Sequence, residues 1–92
     1  MTEDATRVDK WLWHARFAKT RTLAARLVEG RRVRINRRVV ERPATQVRPG
    51  DVLTLSLGAG VRVVRVIALA ARRGPPVAAR ALYADIEPPT AA

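Results

Sequence analysis

Residues 19–40 read KTRTLAARLVEGRRVRINRRVV, and this stretch decides the fold class. Thr20 is a favourable N-cap residue for a helix that starts directly after it. Apolar residues then recur at the spacing of one buried helix face: Leu23, Ala24, Leu27 and Val28. The pattern predicts a helix over residues 21–29. Gly30 follows in the position where a positive φ is easiest for glycine.

After Gly30, apolar residues no longer recur at helical spacing but at every second position. Val33 and Ile35 alternate with arginines at positions 32 and 34, which is typical of a half-buried strand with a charged outer face. Val39 and Val40 indicate a short partner strand. A helix, a glycine and a basic hairpin therefore follow one another.

On the N-terminal side, a second helical pattern covers residues 7–18. Its apolar stripe is Val8, Trp11, Leu12, Ala15 and Ala18. Thr6 is the expected N-cap, and Asp9 lies in the first turn, where the helix dipole favours an acid. Residues 1–6 are expected to be a flexible N-terminus.

On the C-terminal side, the pattern is that of a hairpin followed by a short helix. Residues 49–51 (PGD) indicate a turn, and residues 52–57 and 61–68 indicate two strands joined by a glycine-rich turn. Residues 77–83 follow two prolines and are expected to be helical. Residues 87–92 are expected to be a disordered tail. We therefore predict one α+β domain over residues 7–86, with two N-terminal helices, a small antiparallel sheet and a short C-terminal helix.

The net charge of +10 on 92 residues indicates a polyanionic partner. The charge is uneven: residues 1–50 hold 13 Lys/Arg and 5 Asp/Glu, whereas residues 51–92 hold 5 and 3. This asymmetry predicts a binding face in the first half of the chain. The polar N-terminus and the lack of any run of about 18 apolar residues predict a cytoplasmic protein that does not contact membranes.

Catalytic and metal-binding patterns are missing from the sequence. There is no cysteine, and the single histidine, His14, has no partner at ligand spacing and is expected to face solvent. Phosphate-binding glycine loops and nucleophile motifs are also absent. We therefore expect neither an enzyme, nor a cofactor, nor a metal site.

Residues 7–21 (RVDKWLWHARFAKTR), together with Gly30, Val33, Ile35 and Asn36, resemble the S4-type RNA-binding domain. The match is closer still to the ribosome-associated heat shock protein 15 family and its quality-control relatives. Residues 72–75 (RRGP) and 81–83 (ALY) also resemble the C-terminal part of that family.

The resemblance implies a protein that binds structured RNA. Family members associate with the free large ribosomal subunit that carries a stalled nascent chain, so the implied partners are its ribosomal RNA and peptidyl-tRNA. A quality-control factor that adds a tail to the nascent chain is a further implied partner. The resemblance implies no small-molecule substrate, and we expect a monomer.

The candidate RNA contacts are the polar and basic residues of the first two helices and the following hairpin. Arg21 carries most weight, because a guanidinium and free backbone N–H groups coincide at a helix N-terminus and suit a phosphate. Asp9 is expected to support these residues, either by orienting Arg16 or a neighbouring basic residue or by capping its own helix. The predicted contacts are Arg7, Lys10, Arg16, Lys19, Thr20, Arg21, Thr22, Arg26, Arg31, Arg32, Arg34, Asn36, Arg37 and Arg38.

Two local questions stay open in the sequence. The family pattern commonly has glycine after the asparagine that ends the strand, but Arg37 follows Asn36 here, which favours a longer turn or one of another type. Trp13 and Phe17 are spaced as an i, i+4 helical pair. They could stack on unpaired bases or pack against residues 77–83.

Two other functions compete with RNA binding on a ribosomal subunit during rescue. The two short helices could form a helix-turn-helix that reads DNA, although the arginine density continues past the second helix. The chain could also be a constitutive ribosomal protein.

Overall fold

The helix predicted after Thr20 is present as α2, Arg21–Glu29, in a computed structural model that describes residues 4–86. Thr20 is extended, and its Oγ1 accepts a hydrogen bond from the Leu23 N–H at 3.0 Å. The predicted cap is therefore confirmed. The predicted disordered tail and the first three residues of the chain lie outside the described part.

The end of α2 differs from the prediction, because Gly30 has a φ of −81° and Arg31 takes the left-handed conformation, with a φ of 61°. The N–H of Arg31 donates to the Val28 carbonyl, and the N–H of Arg32 to the Leu27 carbonyl. Gly30 is needed for space, since a Cβ there would lie 3.1 Å from the Arg26 carbonyl oxygen.

The first helix, α1, spans Val8–His14 and is shorter than predicted. Arg16 has a φ of 67°, and the Phe17 N–H donates back to the Leu12 carbonyl at 2.9 Å. This turn brings Phe17 onto Trp11, with ring centroids 6.0 Å apart. The helix therefore ends at the point where the Phe17 side chain packs against the core. Because Phe17 lies outside α1, the predicted helical pairing of Trp13 with Phe17 is wrong.

The start of α1 also differs from the prediction. Thr6 does not cap the helix; Thr6–Arg7 form a short strand, β1, and Arg7 is the N-cap residue without a side-chain cap bond. β1 pairs antiparallel with β4, Gln46–Val47, which lies inside the loop that follows the basic hairpin.

The remaining strands form a five-stranded antiparallel sheet in the order β3-β2-β5-β6-β7. Its strands are β2 Val33–Ile35, β3 Arg38–Val40, β5 Val52–Leu57, β6 Gly60–Val66 and β7 Tyr83–Asp85. The last helix, α3, spans only Pro76–Arg80, so the prediction of helix through residue 83 is wrong there. Tyr83 instead pairs with Val66 at the sheet edge.

The hairpin between β2 and β3 turns on two residues, Asn36 and Arg37, with φ values of 51° and 77°. Positive φ at both central positions is the signature of a type I′ turn. The expectation of a longer or different turn is therefore wrong, and Arg37 occupies the position at which glycine has the lowest steric cost.

The core lies between the two helices and one face of the sheet. Trp11 and Leu12 of α1 and Val28 of α2 are fully buried against Leu53 and Val64 of the sheet. The Trp11 Nε1–H donates to the Ala68 carbonyl at 3.0 Å, so the indole is satisfied inside the core. None of the helices in the described part is long and apolar enough to cross a membrane.

Candidate nucleic-acid interface

The predicted RNA contacts lie on the surface. All fourteen are exposed except Lys10, which is half-buried. The α2 N-terminus and the β2–β3 hairpin hold most of them. Except for Arg7 and Arg21, which lie beside the buried Asp9, these cations can bind a polyanion without first leaving a buried acidic partner.

Asp9 is a buried carboxylate that links the starts of the two helices. Its two oxygens accept bonds from Arg7 Nε at 3.0 Å and Arg7 Nη2 at 2.9 Å. Arg21 Nη2 lies 3.7 Å from Asp9 Oδ2. The hydrogen bonds to Asp9, followed by the attraction of its charge, raise the pKa of Arg7 above its ordinary value. Asp9 therefore orients Arg7 and Arg21 in the structure, and it does not contact Arg16.

The α2 N-terminus combines three groups that suit a phosphate. Thr20 uses its hydroxyl oxygen on the Leu23 N–H, and the N–H groups of the two residues before Leu23 have no partner within the helix. Arg21 and Thr22 are exposed beside them. Arg21 Nη2 lies 3.7 Å from Asp9 Oδ2, beyond hydrogen-bonding distance, so the guanidinium keeps its donors for a phosphate.

The basic hairpin continues this surface. Arg32, Arg34, Arg37 and Arg38 are exposed and have no ion pair among residues 4–86. Arg31 is different, because its Nε lies 3.3 Å from Glu41 Oε2. Both side chains of that pair are largely exposed, so the pair is weak and can open for a phosphate.

Asn36 has a structural role that its sequence position does not reveal. Its Nδ2 donates to Asp51 Oδ1 at 3.0 Å, and its Oδ1 accepts from the Val52 N–H at 2.9 Å. Both ends of the amide therefore hold the hairpin against the turn before β5. An RNA contact by Asn36 stays a prediction and would have to use the remaining hydrogen-bonding capacity of this amide.

Arg16 contacts the C-terminal part of the chain, unlike the other predicted contacts. Its Nε donates to the Gly74 carbonyl at 3.0 Å, and it lines a small cleft with Arg62, Arg80 and Tyr83. Arg16 therefore fastens the C-terminal segment to the turn after α1. If replacing Arg16 weakened RNA binding, the loss would combine the effect of a direct RNA contact with that of the lost bond to Gly74.

The structure also brings basic residues of the second half of the chain next to α1. Arg73 Nε donates to the Trp13 carbonyl at 3.0 Å, and its guanidinium lies 5.9 Å from the centre of the Trp13 ring. Phe17 packs on Tyr83, with centroids 4.7 Å apart. Phe17 therefore packs against the C-terminal segment, as one of the two predicted alternatives has it. Trp13 is half-buried beneath the Arg73 guanidinium.

Arg73 is not among the predicted contacts, because the charge count favours the first half of the chain. The signal in the sequence is the basic stretch before Pro75. In the folded protein this stretch lies beside α1, where the predicted RNA contacts begin.

His14 is buried, with 2% of its surface exposed, so the prediction that it faces solvent is wrong. Its Nδ1 has no hydrogen-bond partner in the described part of the chain. Burial lowers the pKa of His14 below its ordinary value, and the nearby charges of Lys10, Arg21 and Arg73 lower it further. The neutral imidazole is the form that the fold accommodates.

We expect acid to destabilise the wild-type protein more than His14→Leu, which cannot titrate. Below a pH of about 6.5 the unfolded histidine binds a proton that the folded one resists, so stability falls until the lower folded-state pKa is passed. Urea denaturation between about pH 7 and pH 5 measures this difference. Parallel pH profiles for the two proteins would contradict it.

The exposed groups of this surface are hydrogen-bond donors that suit an anion. Among residues 4–86, no group of three or more His, Asp or Glu side chains could hold a metal ion. The surface instead offers guanidinium, ammonium and backbone N–H donors.

The part of the chain that forms this surface matches a known protein family. The S4 domain family matches residues 6–53, which run from β1 through both helices and the basic hairpin into β5. Small ribosomal subunit protein uS4 of Xylella fastidiosa is 45% identical over 51 residues, covering 55% of this chain and 24% of that protein.

Longer matches come from heat shock protein 15. The protein of Escherichia coli strain K12 is 42% identical over 79 residues, or 86% of this chain, and the chain spans 59% of that relative's length. The trimeric structure of heat shock protein 15 from Vibrio cholerae superposes on this chain with a TM-score of 0.84 at 35% identity, covering 89% of this chain and 82% of that one. The chain belongs to the S4 RNA-binding domain family, among the relatives of heat shock protein 15.

Proposed function

We propose that the protein binds structured ribosomal RNA through the face formed by the α2 N-terminus and the β2–β3 hairpin. The observation that carries the proposal is the buried Asp9 carboxylate, which accepts two hydrogen bonds from Arg7 and lies 3.7 Å from the Arg21 guanidinium at the start of α2. Phosphates would contact these groups, and the hairpin arginines would extend along the same RNA backbone.

The proposed target is the free large ribosomal subunit that carries a stalled nascent chain. Its ribosomal RNA and peptidyl-tRNA are the proposed partners, in a cytoplasmic rescue or quality-control reaction that a tail-addition factor can follow. Similarity to heat shock protein 15 supports this target. Sedimentation of cell extract tests it: a rescue factor is enriched on dissociated large subunits, whereas a constitutive ribosomal protein follows all ribosomes.

Filter binding with ribosomal RNA and duplex DNA tests the nucleic acid. The proposal expects a clear preference for the RNA, because the guanidinium groups extend beyond α2 into a hairpin that a DNA-reading helix would not use. An equal or stronger affinity for duplex DNA would favour the helix-turn-helix function.

Light scattering tests the proposed monomer, since the V. cholerae relative has a trimeric structure.

Arg21→Ala is expected to fold normally and to lose about 1–3 kcal/mol of RNA affinity, the range for hydrogen bonds to a charged group. Alanine is the better helix former, so the melting temperature should stay within a few degrees. Arg21→Lys should recover only part of the loss, because lysine offers a point charge instead of a planar fork. Binding to large subunits gives the affinity, and circular dichroism monitors the fold.

Arg72→Ala is the matched control. Arg72 is exposed, lies in the less basic half of the chain, lines no cleft with the predicted RNA contacts and has no ion pair among the described residues. Its replacement should leave RNA affinity nearly unchanged. Equal losses from both alanine variants would mean that the charge acts diffusely, without a defined site.

A further inference from the structure

An open groove of about 720 Å³ lies beside the proposed RNA face, between α2 and the turn that joins β5 to β6. Leu23 and Leu27 of α2 form one side, and Leu57 at the end of β5 forms the other. The volume is in the range of roughly 300–1,000 Å³ found for small-molecule sites.

The apolar part of the groove is exposed without a partner in the structure. Leu23 lies on the first turn of α2 and keeps 43% of its surface exposed. Leu27 and Leu57 are only partly buried where they pack on the core. A flat apolar group placed here would remove all three leucines from water.

The charged part of the groove carries a single sign. Lys19, Arg26 and Arg32 line it together with the leucines, and no acidic residue is among its lining residues. The same three cations belong to the predicted RNA face, so the groove is continuous with it. An occupant must therefore combine an apolar face with negative charge.

An unstacked nucleotide has this combination, because its base is flat and apolar on both faces and its phosphate is anionic. Paired bases in a duplex are stacked on one another and cannot enter. A partner helix could cover the leucines but would need acidic residues at all three cations.

We propose that the groove holds one unpaired nucleotide of the bound RNA, with the base on Leu23, Leu27 and Leu57 and its phosphate at Lys19, Arg26 and Arg32. This inference rests on the proposed RNA-binding function and adds a preference for RNA with an extruded base. Recognition of the base is by apolar contact with the leucine side chains, so it tolerates any base.

Methyl spectra of the full chain titrated with adenosine monophosphate test the groove directly. Saturable shifts are expected for the Leu23, Leu27 and Leu57 methyl groups. Ribose 5-phosphate and inorganic phosphate should not produce these shifts, because they lack the base. Leucine shifts of equal size from ribose 5-phosphate would overturn the proposal, since the groove would then be responding to the anion.

The second test compares two RNA hairpins that differ only at one bulged position, which is either adenosine or an abasic ribose. The wild-type protein should prefer the adenosine hairpin by about five- to tenfold, and Leu23→Ala should lose that preference. Val77→Ala is the matched control, because Val77 is an aliphatic helix residue with 82% of its surface exposed and does not line the groove.

The outcomes separate the two proposals. Equal binding of both hairpins by a wild-type protein that retains ribosomal RNA affinity would overturn the groove assignment alone. Failure to bind any of these RNAs, ribosomal RNA included, would overturn the proposed function as well. Self-association that Leu23→Ala abolishes would identify the groove as a subunit interface and overturn the nucleotide assignment.

Discussion

Raising the salt concentration from about 50 to about 200 mM is expected to weaken binding to ribosomal RNA by about 250- to 4,000-fold. If roughly six basic residues of the face contact phosphate, the log–log slope of affinity against salt is about −4 to −6. Binding then releases condensed counterions from the RNA, and added salt opposes that release. A filter-binding titration in monovalent salt measures the slope.

Alanine variants show which residues produce the salt dependence of RNA affinity. Arg21→Ala should make the slope shallower by about one, because one phosphate contact is removed, whereas Arg72→Ala should leave it unchanged. Affinity that does not respond to salt would defeat the electrostatic account of the interface. The exposure of Arg32, Arg34, Arg37 and Arg38 is the structural reason to expect a steep response.

Trp11→Ala is expected to destabilise the fold by about 3–5 kcal/mol, the usual cost of removing a buried large aromatic side chain. Trp11 is completely buried, and its ring lies within 6.5 Å of Phe17 and Tyr83, as measured between ring centroids. The variant also leaves the Ala68 carbonyl without the indole donor. Since small domains are stable by only about 5–15 kcal/mol, urea denaturation should show a protein close to unfolding.

Trp11→Phe separates the two contributions of this residue. It keeps an aromatic ring in the core and removes the hydrogen bond to Ala68, so a loss of about 1–3 kcal/mol is expected. Trp13→Ala should cost less than Trp11→Ala, because Trp13 is only half-buried. Equal costs for the two alanine variants would show that Trp11 is not the centre of the core.

Local rules were sufficient for the elements that local interactions control. The bounds of α2 and its Thr20 cap follow from helix periodicity and capping chemistry, and β5 follows from the alternation of Leu53, Leu55 and Leu57. The PGD turn has a φ of 99° at Gly50, as its residues predict. Each of these features depends on residues at most a few positions apart in the chain.

Long-range contacts decided the elements that the sequence misplaced. α1 stops at His14 because Phe17 packs on Trp11 and on Tyr83, which is distant in the chain. Tyr83 pairs in a strand because the edge of β6 is there to receive it. β1 and β4 are two residues each, and such short segments carry no periodicity that could reveal their pairing.

The sequence by itself determined which part of the chain carries the charge of the candidate site, because Lys and Arg rarely become buried and their density along the chain is visible directly. Only the tertiary structure decided how those residues are used. It placed Asp9 between Arg7 and Arg21, assigned Arg16 to the Gly74 carbonyl and brought Arg73 back to Trp13. These are contacts between side chains and distant backbone or charge partners. They arise when the sheet and helices pack together, which no local pattern specifies.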